Sequence, residues 1–252
     1  MTTKFDCALG GVSLSSVHDG ICILDIREDS PRMQMHLAPL PGDGQQLLSR
    51  RRESLTVHIS FALHVEDAAL RSQLLSTVNH WAEKGGVFTA SHRPGKRLHV
   101  IASSFPHYAA GDWTQTLTLS LTTTFCPYWE DEAAVQGSGS SPFTLLVPGT
   151  AAAAPVNAVI INTGTEALTR LTLRCGDTQL FFEGLSLAPN GIFTFMYTEG
   201  VPTAWVSSVN ALTYRTAQSS DDLLAPCGKS CTAYASGDQP VQATFSARGR
   251  YL

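Results

Sequence analysis

"RRRESLTVHISFALHV", residues 50–65, carries the pattern on which the fold turns: three arginines run into an alternation of apolar and small polar side chains. Leu55, Val57, Ile59, Phe61, Leu63 and Val65 fall on one face at period two, and Thr56, His58, Ser60, Ala62 and His64 on the other. Successive strand residues point to opposite sides of a sheet, so this stretch, free of Pro and Gly, predicts a β-strand with one buried face. The second face and the Arg50, Arg51, Arg52 run leave two readings open. One is a basic edge for phosphate or an acidic partner; the other is a surface that meets another copy of the protein.

Composition weighs between them. Of 252 residues, 43% are hydrophobic and 15% charged, against about 25% charged in an ordinary globular domain. A surface this poor in charge suits contact with other chains. A net charge of −4 gives no broad basic footprint for DNA. Three arginines also fall short of the roughly five to eight residues of a basic patch, so they read as a solvated or interface-facing strand entry. The start, "MTTKFDCALGG", lacks the apolar run of a secretory signal, and no stretch reaches the roughly 18 apolar residues of a membrane helix. The six cysteines, Cys7, Cys22, Cys126, Cys175, Cys227 and Cys231, are scattered without a CxxC pair. In a chain made in the cytosol they are expected reduced and at least half-buried. Only Cys227 and Cys231, in "CGKSC", are near neighbours in sequence, and there alone a bond or shared metal comes into question.

Outward from the first strand, "ICILDI" (21–26) is a short buried strand, and the segment from it to Arg52 is a long excursion with turn signals at "PLPGDG". After it, "EDAALRSQLLSTVNHWAEKGG" sets Leu70, Leu74, Val78 and Trp81 on one helical face. Asp67 is the expected N-cap and Gly85 the left-handed stop. "VFTASHRPGKRLHVIASS" predicts a hairpin turning at "RPGK" (93–96), where Pro presets one turn dihedral and Gly permits the next. "WTQTLTLSLTTTF" predicts a strand with Leu117, Leu119, Leu121 and Phe125 on one side. Past Glu132, "AAVQGSGSSPF" reads as a linker, and beyond it come only short strands such as "VNAVIIN", "ALTRLTLRC", "TQLFFEG" and "GIFTFMY", parted by turns such as "APNG". Short strands at that rhythm predict an antiparallel sandwich. The fold class is therefore mainly β, with residues 1–130 a mixed β domain carrying one helix and a hairpin, and residues 131–252 an all-β domain.

Chemistry is sparse. His58 and His64 share a face but stand about 20 Å apart along a strand, too far for one ion. His92, His99 and His107 flank the hairpin without HxH or HxxxH spacing. The acids of "WEDE" (129–132) and "SSDD" (219–222) read as caps or solvated turn charges rather than a pair facing each other across a cleft. There is no GxSxG elbow and no phosphate loop. No catalytic residue, cofactor-binding residue or metal ligand is assigned, no cofactor is implied, and the chain is not expected to be an enzyme. Among the aromatics Trp113, Tyr128, Trp129, Phe181, Phe182, Tyr197, Trp205 and Tyr214, most are needed as core volume. Trp129 and Trp205 are expected to stay partly exposed and to offer a contact for glycan or a protein partner.

The order of segments says more than any single residue. It comprises "ILDIREDSP", "GDGQQLLSRRRESLTVHISFAL", the helix ending in "NHWAEKGG", "SHRPGKRLHV" and "GDWTQTLTLSLTTTFCPYWED" in the first half. In the second half it comprises "APVNAVIIN", "LTLRC", "LFFEGLSLAPNGIFTF", "LTYRTAQSSDDLLAPCGKS" and "FSARGRYL". In this order the chain resembles the distal tail protein (baseplate hub ring protein) of long-tailed, non-contractile bacteriophages and their prophages. The resemblance implies a β-sandwich-like belt domain with one helix and a hairpin, followed by a galectin-like sandwich. It implies a homo-hexameric ring in the virion, at the tail tip, made and assembled in the host cytoplasm. The ring joins the tail tube protein to the tail-tip spike and receptor-binding proteins, with DNA passing non-specifically through its lumen and no membrane insertion. On that reading Arg50, Arg51, Arg52, His58 and His64 belong to subunit interfaces. The rival is a carbohydrate-binding adhesion module using Trp129 and Trp205. Against it, the His, Asn, Arg and Trp set of a sugar-binding galectin groove does not align to any one strand pair, and Asn190 and Asn210 read as turn residues.

Overall fold

Alternating segments become strands that pair antiparallel, in a computed structural model that describes residues 5–42, 44–107, 116–139 and 142–252. The chain divides into two compact units, Met1–Tyr128 and Trp129–Leu252.

The first unit holds β1 (Cys7–Leu9), β2 (Val12–Ser13), β3 (Ile21–Glu28), β4 (Met33–Pro39), β5 (Gln45–Arg52) and β6 (Thr56–Leu63). Then come α1 (Ala68–Glu83), β7 (Gly86–Ala90), β8 (Lys96–Ser104) and β9 (Leu117–Thr123). One sheet runs in the order β2-β1-β7-β8-β9-β6-β3, and among the described residues β4 and β5 pair only with each other. At its centre Ile59 faces Leu119 and Ile26 across the ladders, and Phe61 faces Leu117 and Ile23. Val57, Ile59, Phe61, Leu119 and Leu121 are fully buried, each such side chain contributing about 1.5–3 kcal/mol relative to exposure. The helix begins where the Asp67 carboxylate accepts from Ala69 N at 2.8 Å. It buries Leu74, Val78, Trp81 and Ala82, and Trp81 Nε1 donates to the Val12 carbonyl at 2.9 Å. The helix stops at Gly85, whose φ of +58° and whose Cβ position, 2.9 Å from the Val100 carbonyl oxygen, both require glycine. In the "RPGK" turn, Lys96 N donates to the Arg93 carbonyl at 3.1 Å with Gly95 at φ +71°, a type II turn.

Three local readings change in this unit. The arginines do not enter β6; they close β5, and Glu53–Leu55 separates the two strands. The excursion before them is a hairpin of its own. Finally, β9 ends at Thr123, whose hydroxyl accepts from Leu55 N at 2.8 Å, so Phe125 leaves the buried row and packs its ring 4.8 Å from that of His99. Trp113 and its neighbours 108–115 lie outside the described residues, as does Asp43 in "PLPGDG".

The second unit contains β10 (Trp129–Asp131), β11 (Val135–Gly139), β12 (Phe143–Leu146), β13 (Ala153–Asn162), β14 (Leu168–Cys175), β15 (Thr178–Leu187) and β16 (Ile192–Thr198). It continues with β17 (Val201–Val206), β18 (Val209–Asn210), β19 (Leu224–Pro226), β20 (Ser230–Gly237), β21 (Val241–Ala247) and β22 (Arg250–Tyr251). A seven-stranded sheet, β11-β21-β13-β16-β17-β18 with β19 on β13, and a four-stranded sheet, β12-β20-β14-β15, share one apolar cluster. Phe182 of the smaller sheet meets Phe193 of the larger edge-on, ring centres 5.0 Å apart, and Phe143 meets Phe245 at 5.6 Å. The unit starts at Trp129, ahead of the composition change, because β10 pairs with β22 at the far end of the chain. Glu130 there accepts from Arg250 at 3.0 Å. The expected Gly/Ser linker is a strand: β11 zips along β21 from Val135↔Ala247 to Gly139↔Ala243. Gly137 is small for a reason, since a Cβ there would stand 2.7 Å from the Phe143 ring. Ser140 and Ser141 lie outside the described residues.

Candidate functional site

The β4–β5 hairpin is where sequence and surface disagree most. Met33 faces Arg52, Met35 faces Arg50 and, past a bulge that takes in Leu48, Leu37 faces Leu47. Cross-strand partners share a face, so one side of the ribbon carries Met33, Met35, Leu37, Leu47, Arg50 and Arg52. The other carries Gln34, His36, Ser49 and Arg51, with Arg51 Nε donating to Gln34 Oε1 at 2.6 Å. The apolar side is not buried: Met35 is 59% exposed, Leu47 48% and Leu48 63%. A two-stranded ribbon alone is marginal in water. Six large apolar side chains on or beside this one, Met33, Met35, Leu37, Leu40, Leu47 and Leu48, are exposed, which is the mark of an unfilled contact surface.

At the base of the ribbon the arginines diverge. Arg50 and Arg51 are exposed, whereas Arg52 is half-buried and its guanidinium stacks 5.4 Å from the centre of the Tyr128 ring. Among the described residues Arg52 Nε has no hydrogen-bond partner. Gln34, Arg51, Arg52, Glu53 and Ser54 line a cleft of about 530 Å³ beside it.

The second face of β6 is tied up within its own unit. His58 Nδ1 lies 2.9 Å from Ser120 Oγ, and Nε2 lies 2.9 Å from Asp29 Oδ2. That bond from His58, helped by Arg27 and Arg32, holds the Asp29 carboxyl below its usual range. His64 stands one residue beyond β6, exposed, its amide donating to the Gly20 carbonyl at 2.7 Å. The structure thus places Arg50, Arg51 and Arg52 on the ribbon, and His58 and His64 elsewhere. Among the described residues no three His, Cys, Asp or Glu side chains converge as a metal site, and no helix is long and apolar enough to cross a membrane.

The two tryptophans part company. Trp129, expected to be partly exposed, is 1% exposed; beside the β10–β22 pairing it serves as packing volume and offers no platform. Trp205 is 39% exposed, on the outward row Val159–Thr194–Trp205–Asn210 across β13, β16, β17 and β18. Around it the outward side chains Ile161, Ile192, Met196, Val201 and Thr203 include no charge. Asn210 caps a short 3-10 turn by accepting from Leu212 N at 2.9 Å, and Asn190 sits at φ +61°; both are turn residues. Nothing in the sequence says that the apolar side chains of "MQMHL" (33–37) stay uncovered.

With this geometry in hand, the chain was compared with known proteins. No family model matches it, and no curated protein matches it. Among solved structures it is similar to the Dit protein (gp 19.1) of phage SPP1, described as a paradigm of the hub adsorption apparatus in phages infecting Gram-positive hosts. The TM-score is 0.72 at 13% identity, over 97% of this chain and 98% of that one. It is also similar to a chain of the phage P2 baseplate in its activated conformation, with Ca and with Sr. For each of these the TM-score is 0.51 at 8% identity, over 97% of both chains. At these identities the likeness establishes the fold, along both units: a mainly β fold shared with the SPP1 hub protein and a chain of the P2 baseplate.

Proposed function

We propose that this chain is the subunit of a hub ring at the tip of a bacteriophage tail, closing as a homo-hexamer. The observation that carries the reading is the β4–β5 ribbon, whose exposed apolar row belongs to a chain that shares its fold with a phage hub protein over 97% of its length. A ribbon of this kind is stable once its apolar side lies against a neighbouring copy, and ring closure lets every copy both give and receive that contact. Residues 1–130 act as the belt that forms the ring, with Arg50, Arg51 and Arg52 at the subunit contact and His58 and His64 at its margin. Residues 131–252, as a galectin-like sandwich, offer docking surface to other tail-tip proteins. The tail tube protein, the tail-tip spike and receptor-binding proteins are its partners, and DNA crosses the lumen through salt-sensitive, phosphate-directed contacts only. The protein works as a virion component assembled in the host cytoplasm, and the role calls for no catalysis.

The uncharged face around Trp205 supports a second reading, a carbohydrate-binding adhesion module, since an exposed indole on a flat polar-apolar sheet can stack on a sugar ring. The two readings separate in one experiment. Replacing Met35 and Leu47 with Asp should leave the chain folded but convert the assembled protein to monomer in sedimentation velocity. A glycan module would be monomeric before and after, and would instead lose glycan retention on Trp205→Ala.

A further inference from the structure

We propose that Cys175 and Cys231 are a disulfide-forming pair, oxidised by small hydroperoxides that reach Cys231 from an adjoining groove. Cys175 closes β14 and is fully buried; Cys231 lies in β20 and is half-buried. The two strands run antiparallel with Cys175 opposite Ala233, so Cys231 is the diagonal neighbour on the same inward face. Their sulfurs stand 3.6 Å apart. A disulfide needs about 2.05 Å, so each sulfur has to travel less than about 1 Å, within reach of a side-chain rotation. Gly176, next in chain at φ +55°, gives the end of β14 slack, and a Cβ on it would lie only 3.7 Å from Cys231 Cβ. Sequence spacing draws attention to Cys227 and Cys231; the sheet gives Cys231 a different sulfur, 56 residues away.

Access decides which thiol reacts first. A groove of about 790 Å³, lined by Pro142, Arg174, Asp177, Cys231 and Tyr234 among others, opens onto Cys231. Burial, together with the neighbouring Cys231, pushes the Cys175 thiol up in pKa, so it keeps its proton and acts second. The Cys231 thiolate attacks one peroxide oxygen: the S–O bond forms, the O–O bond breaks, and hydroxide leaves to become water. Cys175 sulfur then attacks Cys231 sulfur: the S–S bond forms, the S–O bond breaks, and a second water leaves with the Cys175 proton. Two thiols and one hydroperoxide (here hydrogen peroxide) give one disulfide and two waters. The product clamps β14 to β20 and closes a loop of long sequence separation, the arrangement in which a cross-link most constrains the unfolded chain. This inference does not depend on the ring.

The test treats the purified full-length chain with hydrogen peroxide and compares it with a dithiothreitol-reduced sample. Expected are a mass lower by about 2 Da, one proteolytic peptide pair joining residues 175 and 231, and a melting temperature higher by about 5 °C. Cys227→Ser should keep the mass loss, and Cys175→Ser should replace it with oxygen adducts on Cys231. The wild-type peptide map decides even if Cys175→Ser fails to fold. Oxygen adducts on Cys231 without a cross-link, or a cross-link through Cys227, overturn the proposal.

Discussion

Phe182 is fully buried where the two sheets of the second unit meet, against Phe193. Phe182→Ala should cost about 3–5 kcal/mol in urea unfolding, while Asp67→Ala, which removes the helix N-cap, should cost only about 1 kcal/mol. Asp238 makes a pH-dependent contribution. Its carboxylate accepts from the Thr169 hydroxyl at 2.5 Å and from the amides of Thr169 and Arg170, which hold its pKa below the ordinary 3.8. A depressed carboxyl stabilises fully above its unfolded value and loses that contribution as pH falls through the folded one. Wild type and Asp238→Asn should therefore differ in urea midpoint at neutral pH and converge below about pH 4. Asp67 and Gly85 could be read from sequence because caps and stops are set by the nearest few residues. The burial of Trp129 could not, since it follows from a pairing with the far end of the chain.

On the proposed reading, assembly rests on the ribbon of β4 and β5. Its strands were masked in sequence by the bulge at Leu48, which shifts the apolar period on one strand only, and by Pro39, Pro41 and Gly42 at the turn. An alternation that finds no covering partner in its own chain also reads as an excursion, since the reading assumes that apolar faces are buried at home. Polar replacements on its apolar face should abolish self-association and leave the circular dichroism spectrum of the chain unchanged, because within one copy those side chains are solvent-exposed. The strand β11 was hidden for the opposite reason. Its "VQGSG" has little strand preference, and pairing with β21 imposes the conformation. Gly137→Val should destabilise the second unit by forcing the Phe143 ring aside, measurable as a lower urea midpoint. By contrast β6 and β9 were plain from sequence, because period two, β-branched residues and a buried face all agree there.

Each unit has its own apolar interior, and the cluster of the second is drawn from residues of that unit. Residues 129–252 expressed alone should keep a β-type circular dichroism spectrum and a cooperative melt. The mainly β character, the single helix and the strands with a buried face were legible across both units, whereas the use of the surface was not: low charge and an exposed apolar ribbon do not state what meets them or in how many copies. The central claim is that copies of this chain close into a ring, and it is tested most directly by light scattering on a sizing column combined with negative-stain images. The expected result is a particle near six times 27.0 kDa with a central hole. A 27.0 kDa monomer at every concentration, with no annular particles in the images, would contradict it.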